Sequence, residues 1–205
     1  MNNKLYQLLL SLKLGDGCYI TQNVTENKRY RVSTNSIKRD YVEYKRSILE
    51  SFGLKTKDIK CFSGYNKNSN MYGITTHVTV ETTLVGNMSL KSAIEDLDSY
   101  GIILLYLDDG SLHKTKHYMH IYCNSFSIEE TNLLIDKIFS FYPQKRCALR
   151  FDRKKDGRCF PYVYVPKSVA CEMNKDVRDF LISNNIDSLL YKTFLPSQTI
   201  ESIDS

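Results

Sequence analysis

The chain has 205 residues, 42% hydrophobic and 25% charged, the balance of a globular protein with a real core and enough length for one large domain or two small ones. No apolar run is long enough to cross a membrane, and the run at 5–14 ends in Gly15-Asp16-Gly17 with no small-residue cleavage site, so neither a signal peptide nor an Arg- and Ser-rich transit peptide is read; an intracellular protein with no membrane partner is expected, with phage and organelle genomes both open as its source. The net charge of +5, from 28 Lys+Arg against 23 Asp+Glu, leans weakly towards a polyanionic partner, while 15 tyrosines without a tryptophan are equally explained by an AT-rich genome.

Residues 5–14 predict a helix, stopped where glycine ends helices readily. Two alternating runs follow at 18–23 and 29–35, with Asn27 and Lys28 in the turn between them, and predict a hairpin. Ser36 predicts an N-cap for a helix to about Ser51. Its apolar residues Ile37, Tyr41, Tyr44, Ile48 and Leu49 fall at helical spacing, and Gly53 closes it. Strands at 59–63 and 71–80 come next, joined by the polar stretch 66–70. Residues 90–97 predict a short helix. The same order then begins again. Residues 100–107 predict an apolar helix ending at Asp108-Asp109-Gly110, and 118–124 a strand. Residues 127–141 predict a helix opened by a capping box of Ser127 and Glu130. Two strands at 148–152 and 159–165 flank the turn Lys155-Asp156-Gly157, and 169–184 predict a helix with some interruption.

This repetition is the main organisational fact. Val32-Ser33-Thr34-Asn35-Ser36 is similar to Ile121-Tyr122-Cys123-Asn124-Ser125, and at the same offset Leu49 meets Ile138 and Phe52 meets Phe141. Each half reads helix, two strands, helix, two strands, helix. The expected fold is therefore α+β, with two pseudo-symmetric αββαββα halves at 1–88 and 89–205 and a junction somewhere in 80–100. Each half, at about 100 residues, is small for an independent core, so the two are expected to pack together. Six cysteines without a C-x-x-C pair read as reduced thiols, mostly in the core. His113, His117 and His120 lie close together, but no second cluster completes a zinc pattern, and a loop leading into a strand accounts for them.

The two helix ends carry a family resemblance. Leu9-Leu10-Ser11-Leu12-Lys13-Leu14-Gly15-Asp16-Gly17 and Ile102-Ile103-Leu104-Leu105-Tyr106-Leu107-Asp108-Asp109-Gly110 both resemble the LAGLIDADG motif of homing endonucleases. The order of strands and helices extends the resemblance over nearly the whole chain. It implies a single-chain, monomeric enzyme whose two motif helices pack side by side and whose two antiparallel sheets form a saddle over duplex DNA. It also implies that Asp16 and Asp109 are catalytic and meet at the DNA, holding divalent metal with the adjoining Gly15 and Asp108. The expected ion is Mg²⁺, with Mn²⁺ able to substitute. Lys91, in Lys91-Ser92-Ala93-Ile94-Glu95-Asp96-Leu97, and Lys192, in Leu190-Tyr191-Lys192-Thr193-Phe194-Leu195-Pro196, are similar to the family's catalytic lysine beside each centre, which orders water or stabilises charge on the phosphate. The first stretch lacks the family's proline. The bulky Leu10, Ile103 and Leu104 stand where the motif usually has small residues.

Elementary electrostatics agrees with a metal. A carboxylate at a helix C-terminus is unfavourable by roughly 0.3–1 kcal/mol. A bound dication reverses that sign, because hard cations take carboxylate oxygens. Phosphodiester cleavage uses metal at the attacking water and at the leaving oxygen.

Alternation puts Arg29, Arg31 and Ser33 on the face opposite Tyr30 and Val32, and Tyr118, His120 and Tyr122 opposite Met119, Ile121 and Cys123. Arg150, Arg153, Lys154 and Arg158 crowd the second hairpin around Asp152. As a set these form the expected DNA-binding surface, with cations on phosphates or guanine edges and Ser and Tyr completing base reading. The function implied is cleavage of both strands of a long asymmetric site, leaving short 3′ overhangs, in the mobility of an intron, intein or free-standing gene. Two alternatives stay open: a maturase of the same fold that binds intron RNA, and a DNA-binding regulator that does not cut.

Overall fold

Helix α1 (Asn3–Leu14) and helix α5 (Ser99–Asp109) are apolar over most of their length, and helices of that kind have little face to give to water. Both are buried through their middle turns: Leu8, Leu9, Leu10 and Leu12 in α1 and Ile102, Leu104 and Tyr106 in α5 are wholly inaccessible. The bulky Leu10, Ile103 and Leu104 are all accommodated in the interior. The computed structural model describes residues 3–24, 27–64 and 69–195. Their contacts divide the chain into two compact units, Met1–Leu104 and Leu105–Ser205.

The first unit builds a four-stranded antiparallel sheet from β1 (Gly17–Val24), β2 (Asn27–Ser36), β3 (Lys60–Ser63) and β4 (Asn70–Thr75), in the order β1-β2-β4-β3. Helices α2 (Arg39–Ser51), α3 (Val80–Asn87) and α4 (Leu90–Glu95) complete it with α1. Val32, Thr34 and Ile74 point from one face of this sheet into the core. The second unit repeats the plan with β5 (Gly110–His113), β6 (Tyr118–Tyr122), β7 (Ala148–Arg153) and β8 (Cys159–Val165), in the order β5-β6-β8-β7. Met119, Ile121, Val163 and Val165 are buried on its inner face, packed with α6 (Ile128–Phe141) and α7 (Lys167–Ser183). The α+β reading with two repeats therefore holds. The unit boundary falls inside α5 because its first turn is tied to α1: Asn3 Nδ2 donates to Asp98 (2.8 Å), and Gln7 Oε1 accepts from the Asp98 amide (2.9 Å).

Several boundaries differ from the sequence expectation. Asn27 and Lys28 are strand residues of β2, paired with Val24 and Asn23; the turn itself, 25–26, lies outside the described residues. Ser36 is the end of β2 rather than a helix cap, because pairing with Tyr72 carries the strand one residue further. Its hydroxyl instead accepts from the Lys38 amide, Lys38 becomes the N-cap of α2, and Ile37 is 54% exposed. The strand read at 71–80 stops at Thr75. Thr79 and Thr82 form a capping box there and start α3, a helix that apolar alternation alone did not reveal. Residues 66–68 of the expected linker lie outside the described residues. Strand β5, also unforeseen, follows Asp109 directly; β6 ends at Tyr122, and α7 is continuous. Of the six cysteines only Cys123 and Cys147 are buried, so the expectation that most lie in the core is corrected. No helix among the described residues is long and apolar enough to cross a membrane.

Two glycines set the exits from the buried helices. A Cβ at Gly17 would overlap the Leu12 carbonyl, and one at Gly110 would overlap the ring and carbonyl of Tyr106. In each repeat the chain turns so tightly from helix to strand that the new strand lies against the helix's last turn, a close approach that only glycine permits. Gly17→Ala and Gly110→Ala should each lower the unfolding free energy by about 1–3 kcal/mol, as overpacking does. Urea denaturation measures this; a loss within about 0.5 kcal/mol would mean that the strand start is free to move away.

Candidate active site and nucleic-acid interface

Each buried helix surfaces at its acidic end. In the first unit Leu14 is the last residue of α1, the Gly15 amide donates to the Ser11 carbonyl (2.8 Å), and Asp16 stands exposed in the turn before β1. In the second unit α5 runs one step further. Asp108 and Asp109 are its last two residues, both half-buried, and β5 begins at the next position. The Cys123 thiol is pushed up to about 12, chiefly by burial, with the negative charge of Asp109 adding to the effect.

Lys192 lies where the second motif ends. It closes a 3₁₀ turn, Asp187–Lys192, and is buried. Its ammonium donates to the Leu107 carbonyl (2.7 Å) and reaches the Asp108 carbonyl at 3.4 Å. The Tyr106 hydroxyl returns a bond to the Lys192 carbonyl at 2.7 Å. The last carbonyls of a helix have no partner within it and carry its negative dipole end, so a buried cation there both satisfies them and offsets the field. Asn174 secures the following residues by donating to the Phe194 carbonyl (3.0 Å) and accepting from its amide (2.9 Å). Lys192 thus holds the main chain from which Asp108 and Asp109 project.

Lys91 is placed differently. It is on α4, its side chain is 70% exposed, and it pairs loosely with Glu95 at 4.0 Å. The end of α4 is fixed to the first turns of α1, where Tyr6 donates to the Asp96 carboxylate and Gln7 to its carbonyl. Helix α1 rises 1.5 Å per residue, so this anchor is at the end of α1 remote from Asp16. A cation the sequence reading passed over, Lys13, lies in the last turn of α1. Its ammonium donates to the Gly86 carbonyl (3.1 Å), sits 5.4 Å from the Tyr19 ring, and has its pKa lowered by burial. Its signal in the sequence was its place inside the first motif. A second buried cation, Lys45 on α2, bonds the Thr34 hydroxyl (3.2 Å) and lies 4.3 Å from the Tyr41 ring.

The donors at both motif ends are carboxylate and main-chain oxygens. Among the described residues no group of three His, Cys, Asp or Glu is arranged to hold a metal. A sparse all-oxygen set suits a hard dication that completes its shell with water and phosphate oxygens, and does not suit zinc.

The outer faces of the two sheets carry most of the expected binding residues. Arg29, Arg31 and Ser33 alternate with the core-facing Tyr30 and Val32, and cross-strand pairing sets them beside Gln22, Ile20, and Cys18 with Thr75. Among the described residues Arg31 Nε is buried without a hydrogen-bond partner. On the second sheet Tyr118, His120, Tyr122 and Arg150 share the outer face with two residues that sequence reading missed, Tyr162 and Tyr164. Their signal was the alternation of β8 itself, Tyr162 and Tyr164 against buried Val163 and Val165. Arg153 pairs with Cys159 and has the opposite parity from Arg150. Lys154 and Arg158 sit in the hairpin loop, paired with Asp152 (2.6 Å) and Asp156 (2.7 Å). Burial, aided by the neighbouring Arg150 and His113, lowers the pKa of His120 and favours its neutral form. The three histidines do not converge: His117 is in a turn, stacked on Phe194 at 4.6 Å, while His113 and His120 each contact Tyr118.

In sequence, residues 7–169 match the LAGLIDADG DNA endonuclease family. No curated protein matches the chain. Among solved structures, the homing endonuclease I-WcaI bound to its DNA recognition sequence is similar with a TM-score of 0.67 and 14% identity, over 95% of this chain and 87% of that one. I-DmoI in complex with DNA and Ca is similar at TM-score 0.59 and 16% identity, over 85% and 89% of the two chains. In complex with DNA and Mn it is similar at 0.54 and 16%, over 94% and 99%. The N-terminal LAGLIDADG domain of DUF199/WhiA is similar at 0.52 and 11%, over 90% and 80%. At these identities the likenesses show a shared fold.

The different settings of the two lysines make a direct test. Lys192→Met leaves the Leu107 carbonyl buried without its donor and should lower the unfolding free energy by about 1–3 kcal/mol. Lys91→Met breaks an exposed pair and should change it by less than about 0.5 kcal/mol. Chemical denaturation of both variants without DNA checks the contrast, and equal effects would refute the capping role of Lys192.

Proposed function

Because this chain belongs to the LAGLIDADG DNA endonuclease family, we propose that it is a homing endonuclease, a site-specific enzyme that hydrolyses both strands of a long, asymmetric duplex and leaves short 3′ overhangs. The observation that carries this reading is the paired motif end. In both repeats an apolar helix surfaces at an aspartate followed by a glycine that steric contact makes obligatory. A carboxylate set twice at the unfavourable end of a helix is explained by a cation it serves.

Asp16, with Gly15 adjoining, and Asp109, with Asp108 adjoining, are the residues that would hold divalent metal. A bound divalent ion supplies Lewis-acid polarisation of the phosphate and lowers the pKa of an attacking water. The I-DmoI structures in complex with DNA and with Ca or Mn support a divalent metal. Mg²⁺ is our choice because it keeps several waters and joins carboxylates to substrate phosphates. The chain's own residues do the rest. Lys192 fixes the end of α5 and with it Asp109. The outer sheet faces hold the duplex: Arg29, Arg31 and Arg150 supply guanidinium donors to phosphates or guanine edges, and Ser33, Tyr118, His120 and Tyr122 supply neutral contacts. With both motifs in one chain, a monomer suffices, and its two unlike faces call for an asymmetric site.

Asp16→Asn and Asp109→Asn should each abolish double-strand cutting of the selected site while leaving binding intact or tighter, because removing one carboxylate relieves repulsion from the DNA backbone. Asp108→Asn should have the smaller effect, lying about 100° round the helix from Asp109. Mg²⁺ should support cutting and Ca²⁺ binding alone. Log affinity should fall linearly with log salt, by about 0.9 per phosphate contacted. Plasmid cleavage and filter binding measure these outcomes. Normal cutting by both the Asp16 and Asp109 variants would refute the site, and binding without nicking would favour a regulator. Preference for structured intron RNA over duplex would favour a maturase.

A further inference from the structure

The outer faces of the two sheets have different chemistry. On the second sheet, strand register sets His120 beside Tyr164 and Tyr122 beside Tyr162, with Tyr118 next along β6. These rings form one continuous cluster. Centroids are 5.0 Å apart for Tyr118 and His120, 5.2 Å for Tyr118 and Tyr164, 4.5 Å for His120 and Tyr162, and 6.1 Å for Tyr122 and Tyr162. Ring planes in these pairs are inclined by 31° to 50°. The charged groups on this face are few, and each lies against a neighbour. The Arg150 guanidinium lies 4.3 Å over the Tyr164 ring, and Asp152, of the same parity, takes the Lys154 ammonium at 2.6 Å. Among the described residues of the first sheet, the one ring pair, Tyr19 with Tyr30, belongs to the inner parity, and the outer positions include Arg29, Arg31 and Ser33 beside the apolar Ile20, Phe62 and Met71.

Resting on the reading of the chain as a duplex-cutting enzyme, we propose that the aromatic face of the second sheet reads thymine methyl groups in the major groove, so that the half-site it covers is thymine-rich. Base edges in that groove can be told apart by hydrogen-bond pattern and by the C5 methyl of thymine, which apolar side chains recognise. A guanidinium reads guanine or phosphate, and this suits the first face. A cluster of rings in mutual contact carries its hydroxyl and imidazole groups at the rim and offers a large apolar surface to place against methyls.

The experiment replaces thymine by uracil, which removes only the methyl and leaves pairing and phosphates unchanged. A target is first selected from a randomised duplex library with the intact protein. Selection with Arg31→Ala and with Tyr162→Thr then assigns each half-site to its sheet, because each variant should relax preference in one half only. Uracil in the half-site assigned to the second sheet should weaken binding about fourfold per methyl contacted, the fold-change of burying one such group. In the other half-site it should change affinity less than twofold. The uracil comparison uses the unaltered protein, so a misfolded Tyr162 variant does not remove the test. Duplex binding with no uracil penalty, or with equal penalties in the two halves, would overturn this inference and leave the nuclease reading standing. Failure to bind or cut any duplex would overturn the nuclease reading and this one with it, and a preference for single strands would overturn the groove geometry.

Discussion

A helix that is apolar round most of its middle turns must be buried there, and yet its chain must leave the core. That constraint organises this protein. Both α1 and α5 spend their middle turns in the interior and emerge abruptly, α1 at Asp16 and α5 at Asp109. The exit is abrupt because the next residue is a glycine packed against the helix it has just left. Anything longer would carry unsatisfied main-chain groups through the core. Anything with a Cβ would collide. The result is a carboxylate held on a short, stiff piece of backbone at the surface, which is the placement a metal ligand requires.

The two repeats solve the end of the helix differently. In the second, Lys192 reaches in from a distant 3₁₀ turn to satisfy the Leu107 carbonyl, and Tyr106 closes the loop by binding the Lys192 carbonyl. In the first, the cation recorded in the last turn of α1 is the helix's own Lys13, bound outward to the Gly86 carbonyl. The interiors differ as well. Thr34 and the buried Lys45 form a polar pair in the first unit, while Cys123 and Leu134, at the same offset, are apolar and buried in the second. Pseudo-symmetry here is a property of backbone topology. Chemistry, both at the helix ends and on the sheet faces, is particular to each half.

Some of this was legible because it depends on local pattern. The capping box of Ser127 and Glu130, the alternation of β6 and β8, and the apolar motif helices all follow from spacing along the chain. The errors came where a neighbour decided. Ser36 looks like a helix cap until Tyr72 pairs with it and extends β2. Val80 looks like the end of a strand until the Thr79 and Thr82 hydroxyls turn it into the first residue of a helix. Lys91 and Lys192 look equivalent in their short motifs, but one lies on an exposed helix face and the other is buried.

The sequence by itself determined the repeat, the fold class, the two acid-glycine exits and the family to which they belong. These are set by periodicities of 2.0 and 3.6 residues and by residues whose roles are local, and such signals survive without knowledge of any partner. Tertiary structure alone decided which lysine caps a motif helix, which cations are neutralised by a neighbouring aspartate, and that β8 completes an aromatic face with β6. Each of those depends on residues far apart in the chain being brought within hydrogen-bond or ring-contact distance. A one-dimensional pattern carries no record of that distance; strand pairing and core packing create it.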